Sequence, residues 1–176
     1  CVMGGLTLLA DPTNLTIVQL PVPPIYAVII HPHMAVATAE ARALLKAPMP
    51  LSLYVQQSAY LAGFISALYE KNWSLMAQSM KDVLVEPKRK ALIPGFDLVQ
   101  QAAIQAGALV CSISGAGPAL FAWTQTESTA HLVAQAMKDQ FLAHQLDSDA
   151  CVFALGAPGA ELLEVDNTLR THHANH

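Results

Sequence analysis

The chain has 176 residues, of which 53% are apolar and 12% charged, with a formal charge of −4. It is long enough for one domain with its own core and too apolar for global disorder. Its densest basic run, Lys88-Arg89-Lys90, is too short for a nucleic-acid track. The charged fraction is about half the usual ~25%, so part of the surface is expected to be covered, by a partner domain or by a second subunit of a homo-oligomer.

In chain order, residues 2–9 and 16–20 read as two short strands around a turn at Asp11-Pro12-Thr13-Asn14. After "PVPP", the apolar run 26–30 predicts a buried strand; it is far too short to span a bilayer, so no membrane association is expected. Thr38 is a plausible N-cap for a short helix over "AEARALL", which closes before Pro48 and Pro50. A long helix is predicted over 51–70, with Tyr54, Leu61, Ile65 and Leu68 on one stripe. A short helix over 74–83 follows. "EPKRKALIPGF" interrupts it, and a further helix begins near Pro94 or Gly95. It places Val99, Ala102, Ala103 and Ala106 on one face and stops at Gly107.

The last third predicts a strand over 108–113, a Ser/Gly hinge, a strand over 119–123 and a helix over 128–144 with Val133, Met137 and Phe141 on one side. A turn at 147–149, a strand over 150–154 and a further strand near 160–165 complete the pattern. This order predicts an α+β fold with an antiparallel or mixed sheet and helices packed on one face. The tail 167–176 is expected to fray.

The opening "CVMGGLTLLA" has no charged n-region and no cleavage pattern. Starting on Cys1 and running directly into strand-like sequence, it reads as a chain cut inside a domain. Cys1, Cys111 and Cys151 fit no C-x-x-C spacing and are expected to be reduced thiols of a cytoplasmic protein. His31 and His33 flank a proline after a strand. His172, His173 and His176 lie in the tail with no cysteine or carboxylate to complete a metal site. Asp82 and Glu86, four apart, read as an exposed helix face, and no general base is assigned.

The stretch "SISGAGPALFA" (112–122) raises the main functional question. Read alone, its glycines serve a hairpin connection that needs positive φ; equally, small side chains let backbone N–H groups approach an anion. The chain has only three arginines, Arg42, Arg89 and Arg170. A guanidinium fork matches a carboxylate bidentately, as lysine cannot, and Thr38 and Arg42 would share one face of a helix. The bland reading has Arg42 paired with Glu40 or Asp82 on the surface and Arg89 solvating a loop.

Together "TAEAR" (38–42), "LAGF" (61–64), "MKDVLVEPKRKALIPGF" (80–96) and "SISGAGPALFA" resemble the C-terminal half of the homoserine kinases, a family of the GHMP kinase superfamily. The resemblance runs over about residues 1–165. It implies a ferredoxin-like C-terminal domain over 25–166, preceded by the end of the N-terminal-domain connection over 1–24. It further implies transfer of the ATP γ-phosphoryl group to the hydroxyl of L-homoserine, in threonine biosynthesis. ATP and Mg²⁺ would be held mainly by an N-terminal domain whose phosphate loop is not in this sequence, so the chain is expected to be inactive alone. It puts Thr38, Arg42 and Arg89 on the homoserine site, with Gly115 and Gly117 giving close approach to substrate and partner domain. The rivals are another GHMP kinase with a different alcohol substrate, and a non-catalytic ferredoxin-like module that binds amino acids or dimerises.

Overall fold

The computed structural model describes residues 3–161. Strands β1 (Leu6–Asp11) and β2 (Thr16–Leu20) form an antiparallel hairpin with Leu6 opposite Leu20. Its turn is built by Asp11, whose Oδ1 accepts from the N–H groups of Thr13 and Asn14 at 2.8 and 3.2 Å. The first strand starts later than predicted. Gly4 lies so close to the chain at 157–159 that a Cβ there would sit 2.3 Å from the Gly159 nitrogen, and the Gly5 N–H donates to Ala157 O at 3.0 Å. This segment docks onto residues 157–159 and does not pair as strand.

The main sheet contains β3 (Tyr26–Pro32), β4 (Val110–Ile113), β5 (Leu120–Thr124) and β6 (Ser148–Ala154), in spatial order β4-β5-β3-β6 with every pair antiparallel. Between β3 and β4 run α1 (Thr38–Ala43), α2 (Leu51–Glu70), α3 (Trp73–Ser79), the single turn α4 (Glu86–Arg89), a 3₁₀ turn (Lys90–Leu92) and α5 (Phe96–Gln105). Helix α6 (Glu127–Ala143) joins β5 to β6. Strand, helices, strand, strand, helix, strand in this sheet order is the ferredoxin-like α+β arrangement.

The alternating faces of β3 sort the core. Val28 and Ile30 point with Cys111, Leu120 and Ala122 toward α5 and α6, where Phe96, Val99, Ala103, Val133, Met137 and Phe141 complete one buried cluster. The predicted stripes of α5 and α6 therefore face the sheet. The opposite face is covered too, which extends the one-faced arrangement expected. Ala27, Val110 and Trp123 pack with Ala67, Leu68 and Met76 of α2 and α3, and the rings of Phe64 and Trp123 lie 6.1 Å apart.

Several boundaries differ from the sequence pattern for local reasons. Thr38 is the first residue of α1; Ala37 occupies the cap position and makes no side-chain cap bond. Helix α3 is shorter than 74–83. It starts at an Asn72 cap, whose Oδ1 accepts from Leu75 N–H at 3.0 Å, and ends at Ser79; beyond it Asp82 turns the chain by accepting from the N–H groups of Leu84 and Val85 at 2.9 and 2.7 Å. The expected turn at 147–149 is largely strand, because Ser148 and Asp149 continue the pairing of β6 with Pro32 and His31. On α2 only the C-terminal half of the apolar stripe is buried; Tyr54 and Leu61 are about half exposed, at 48% and 49%. Ala160 and Glu161 are not in a strand, and the remainder of that expected strand and the tail lie outside the described residues.

Where β3 ends, His33 Nε2 meets Asp149 Oδ2 at 2.8 Å across the sheet edge. This hydrogen bond, with the charge of His33 behind it, holds the Asp149 carboxyl below its ordinary range. Asp149 therefore stabilises the fold above its unfolded-state pKa, and that stabilisation disappears as pH falls through the lower folded-state value. The stability gap between wild type and Asp149→Asn is expected to close as the pH of a denaturant titration drops from about 5 to about 3; a gap that widens on acidification contradicts it.

Candidate functional site

The end of β4, the glycine turn, the start of β5 and the end of β3 lie at one end of the sheet, since Ile113 pairs with Leu120 and Leu120 with Ile30. The turn is closed by Ser114 N–H to Ala119 O at 2.8 Å and by Gly117 N–H to Ser114 O at 3.1 Å. Gly115 and Gly117 have φ of +62° and +82°, so both positions need glycine for backbone reasons. Their surroundings differ. A Cβ on Gly117 would press on Ile93 and Ile113 at 3.3 and 3.4 Å, whereas Gly115 is open, with nothing within 4 Å. Among the described residues the Gly115 and Ala116 N–H groups make no hydrogen bond, which leaves two donors at the open side of the turn.

Arg89 reaches this turn. Its Nη1 donates to Gly115 O at 3.0 Å. Its Nε is buried without a partner among the described residues. The helical turn α4 makes the reach possible: the Lys88 and Arg89 N–H groups donate to Val85 O, Pro87 lies in its first turn, and Asp82 caps the approach. Arg89 thus does more than solvate a loop.

Thr38 and Arg42 stand on α1, just beyond the end of β3, and both are exposed. Among the described residues Arg42 makes no hydrogen bond or ion pair, and so is not tied to Glu40 or Asp82. The structure joins Arg89 to Gly115; it records no hydrogen bond or ion pair between Arg42 and either of them.

The carboxylates of "KDVLVEP" do not form an exposed helix face, which corrects the sequence reading. Asp82 closes a local turn by accepting from the N–H groups of Leu84 and Val85, and no helix spans both residues. Glu86 is half-buried, accepts the Ser112 hydroxyl at Oε2, and faces Gln100 Nε2 at 3.3 Å from Oε1. Gln100 in turn donates to Cys111 O at 2.7 Å. This cluster was missed; the only sequence signal was an acidic residue three places before an arginine in "EPKR". Burial, with the negative charge of Glu86 adding to it, pushes the Cys111 thiol up to about 12. The thiol is therefore protonated at neutral pH and neither a nucleophile nor a ligand.

Two clefts flank the cluster. One of about 680 Å³ is lined by Lys81, Glu86, Gln100 and Ile104 among others. A second, of about 290 Å³, is lined by Gln57, Phe64, Ser112 and Phe121. Among the described residues no group of three or more His, Cys, Asp or Glu is arranged to hold a metal, and no helix is long and apolar enough to cross a membrane.

Residues 64–143 match the family described as GHMP kinases C terminal, and together with the ferredoxin-like sheet this defines the class: the chain carries a GHMP kinase C-terminal domain. Within that class it is similar to homoserine kinases. The homoserine kinase of Xylella fastidiosa is 43% identical over 162 residues, which cover 92% of this chain and 49% of the relative. That of Chlorobium phaeobacteroides is 36% identical over 165 residues, covering 92% and 52%. The crystal structure of homoserine kinase from Cytophaga hutchinsonii superposes with a TM-score of 0.86 at 44% identity, covering 89% of this chain and 50% of that one. The chain spans about half the length of the relatives it matches.

Proposed function

We propose that this chain is the substrate-recognising half of a cytoplasmic enzyme of threonine biosynthesis that phosphorylates the side-chain hydroxyl of L-homoserine with ATP. The observation that carries the reading is the Arg89 guanidinium held against the glycine turn, in a chain 36–44% identical to homoserine kinases. A planar fork anchored by one nitrogen on Gly115 O keeps its remaining N–H groups for a carboxylate. Arg42, exposed and unpaired among the described residues, and Thr38 one helical turn before it, are the second arm of the same recognition.

In this reading the arginines hold the α-carboxylate, and the glycine turn leaves room for the amino acid and for the other half of the enzyme. The substrate hydroxyl is thereby set in line with the γ-phosphate, so the chain contributes orientation more than chemistry. ATP supplies the phosphoryl group. Mg²⁺, which is commonly held by one or two carboxylates together with substrate phosphates, and the nucleotide phosphates are assigned to the other half.

The test is a coupled ADP-release assay on the longer protein carrying this sequence, with homoserine, mevalonate and a sugar offered in parallel. Turnover of homoserine alone is expected. Turnover of mevalonate or the sugar instead, or amino-acid binding by residues 1–176 in calorimetry with no kinase activity in the longer protein, overturns the reading.

A further inference from the structure

Glu86 and Arg89 lie three residues apart on one helical turn, a spacing at which a carboxylate and a guanidinium ordinarily pair. Here they form no ion pair. The Glu86 carboxylate is turned away into the fold, where it accepts the Ser112 hydroxyl and faces Gln100. Arg89 is turned the other way, onto Gly115 O at 3.0 Å. The two side chains thus grip the β4-to-turn segment at two points, Ser112 in the strand and Gly115 in the turn.

The support continues behind them. Gln57 on α2 accepts from Val83 N–H at 2.9 Å and donates to Lys81 O at 3.1 Å, while Asp82 captures the next two N–H groups. Gln100 on α5 ties Glu86 to Cys111 O of the edge strand β4. Helices α2 and α5 and strand β4 thus each contribute a hydrogen bond to α4 or to the segment that leads into it.

We propose that Glu86 is a positioning residue for substrate recognition: bound by Ser112 and Gln100, its carboxylate registers α4 against β4 and leaves the Arg89 guanidinium without a counter-ion among the described residues, open to the substrate carboxylate. This rests on the reading of Arg89 as a homoserine ligand. Without the Glu86 anchor, the turn carrying Arg89 loses its link to β4, and Arg89 must be ordered by the substrate itself. Without Ser112, the Glu86 carboxylate is freed to pair with Arg89 and compete with the substrate. Glutamine at position 86 keeps an acceptor for the Ser112 hydroxyl, while Gln100 retains Cys111 O, so it should restore most of the function.

The experiment is a double-mutant cycle in the longer protein, with KM for homoserine and for ATP measured separately. Glu86→Ala and Ser112→Ala are each expected to raise the homoserine KM about 10-fold and leave the ATP KM within about twofold, with Glu86→Gln within about threefold of wild type. The double variant should be no worse than the worse single one. Fully additive effects, equal rises in both KM values, or a Glu86→Gln variant as impaired as Glu86→Ala overturn the proposal. If Glu86→Ala does not fold, Ser112→Ala and Glu86→Gln carry the test. A normal homoserine KM in Arg89→Ala removes the reading beneath the proposal, and the proposal with it. A raised KM in Arg89→Ala beside normal values in Glu86→Ala and Ser112→Ala removes the positioning role alone.

Discussion

Arg89→Ala in the longer protein is expected to raise the KM for homoserine about 100-fold while the KM for ATP stays within about twofold. Two losses combine. The guanidinium no longer offers its fork to the α-carboxylate, and Gly115 loses the donor that holds the turn. A charge-assisted contact of this kind is worth about 1.5–3 kcal/mol, and the turn's loosening acts on the same substrate. Arg89→Lys separates the two effects. A lysine keeps the charge but cannot bond Gly115 O and a carboxylate in one plane, so it should recover only part of the loss. Parallel rises in both KM values would mean that Arg89 supports the fold of the active site as a whole and does not read the amino acid.

Phe141→Ala is expected to lower folding stability by about 3–5 kcal/mol, measured by chemical denaturation. Phe141 is 0% exposed and closes the cluster between α6 and the sheet face of Val28 and Ile30, among Met137, Val133 and Phe96. Its removal leaves a cavity in a close-packed interior that can collapse only partly. A loss below about 1 kcal/mol would show that the helix shifts to fill the space, and that the α6 contact is looser than its burial implies.

These two residues illustrate what was legible and what was not. Phe141 could be picked from the chain because Val133, Met137 and Phe141 recur at helical spacing, and a helix lying on a sheet has one way to hide such a stripe. The same logic failed on α2, where Tyr54 and Leu61 continue the apolar stripe yet stand half exposed. Periodicity reports that a face is apolar; it does not report what covers it.

Arg89 stood out by scarcity and by family likeness, and the structure adds the Gly115 contact that no spacing encodes. Glu86 was misread because i, i+4 spacing to Asp82 imitates a solvated helix face, whereas Asp82 turns the chain between them by binding the N–H groups of Leu84 and Val85.

The amino-acid order by itself determined most of the element types, the α+β character and the glycine turn, because these follow from local backbone preference and from the 2.0 and 3.6 residue repeats. Only tertiary structure decided the strand order β4-β5-β3-β6, the covering of both sheet faces, and the meeting of Arg89, Gly115, Glu86 and Ser112. Those contacts join residues about 26 positions apart. Their partners are chosen by how helices and sheet pack, a property of the whole chain that no short stretch of it contains.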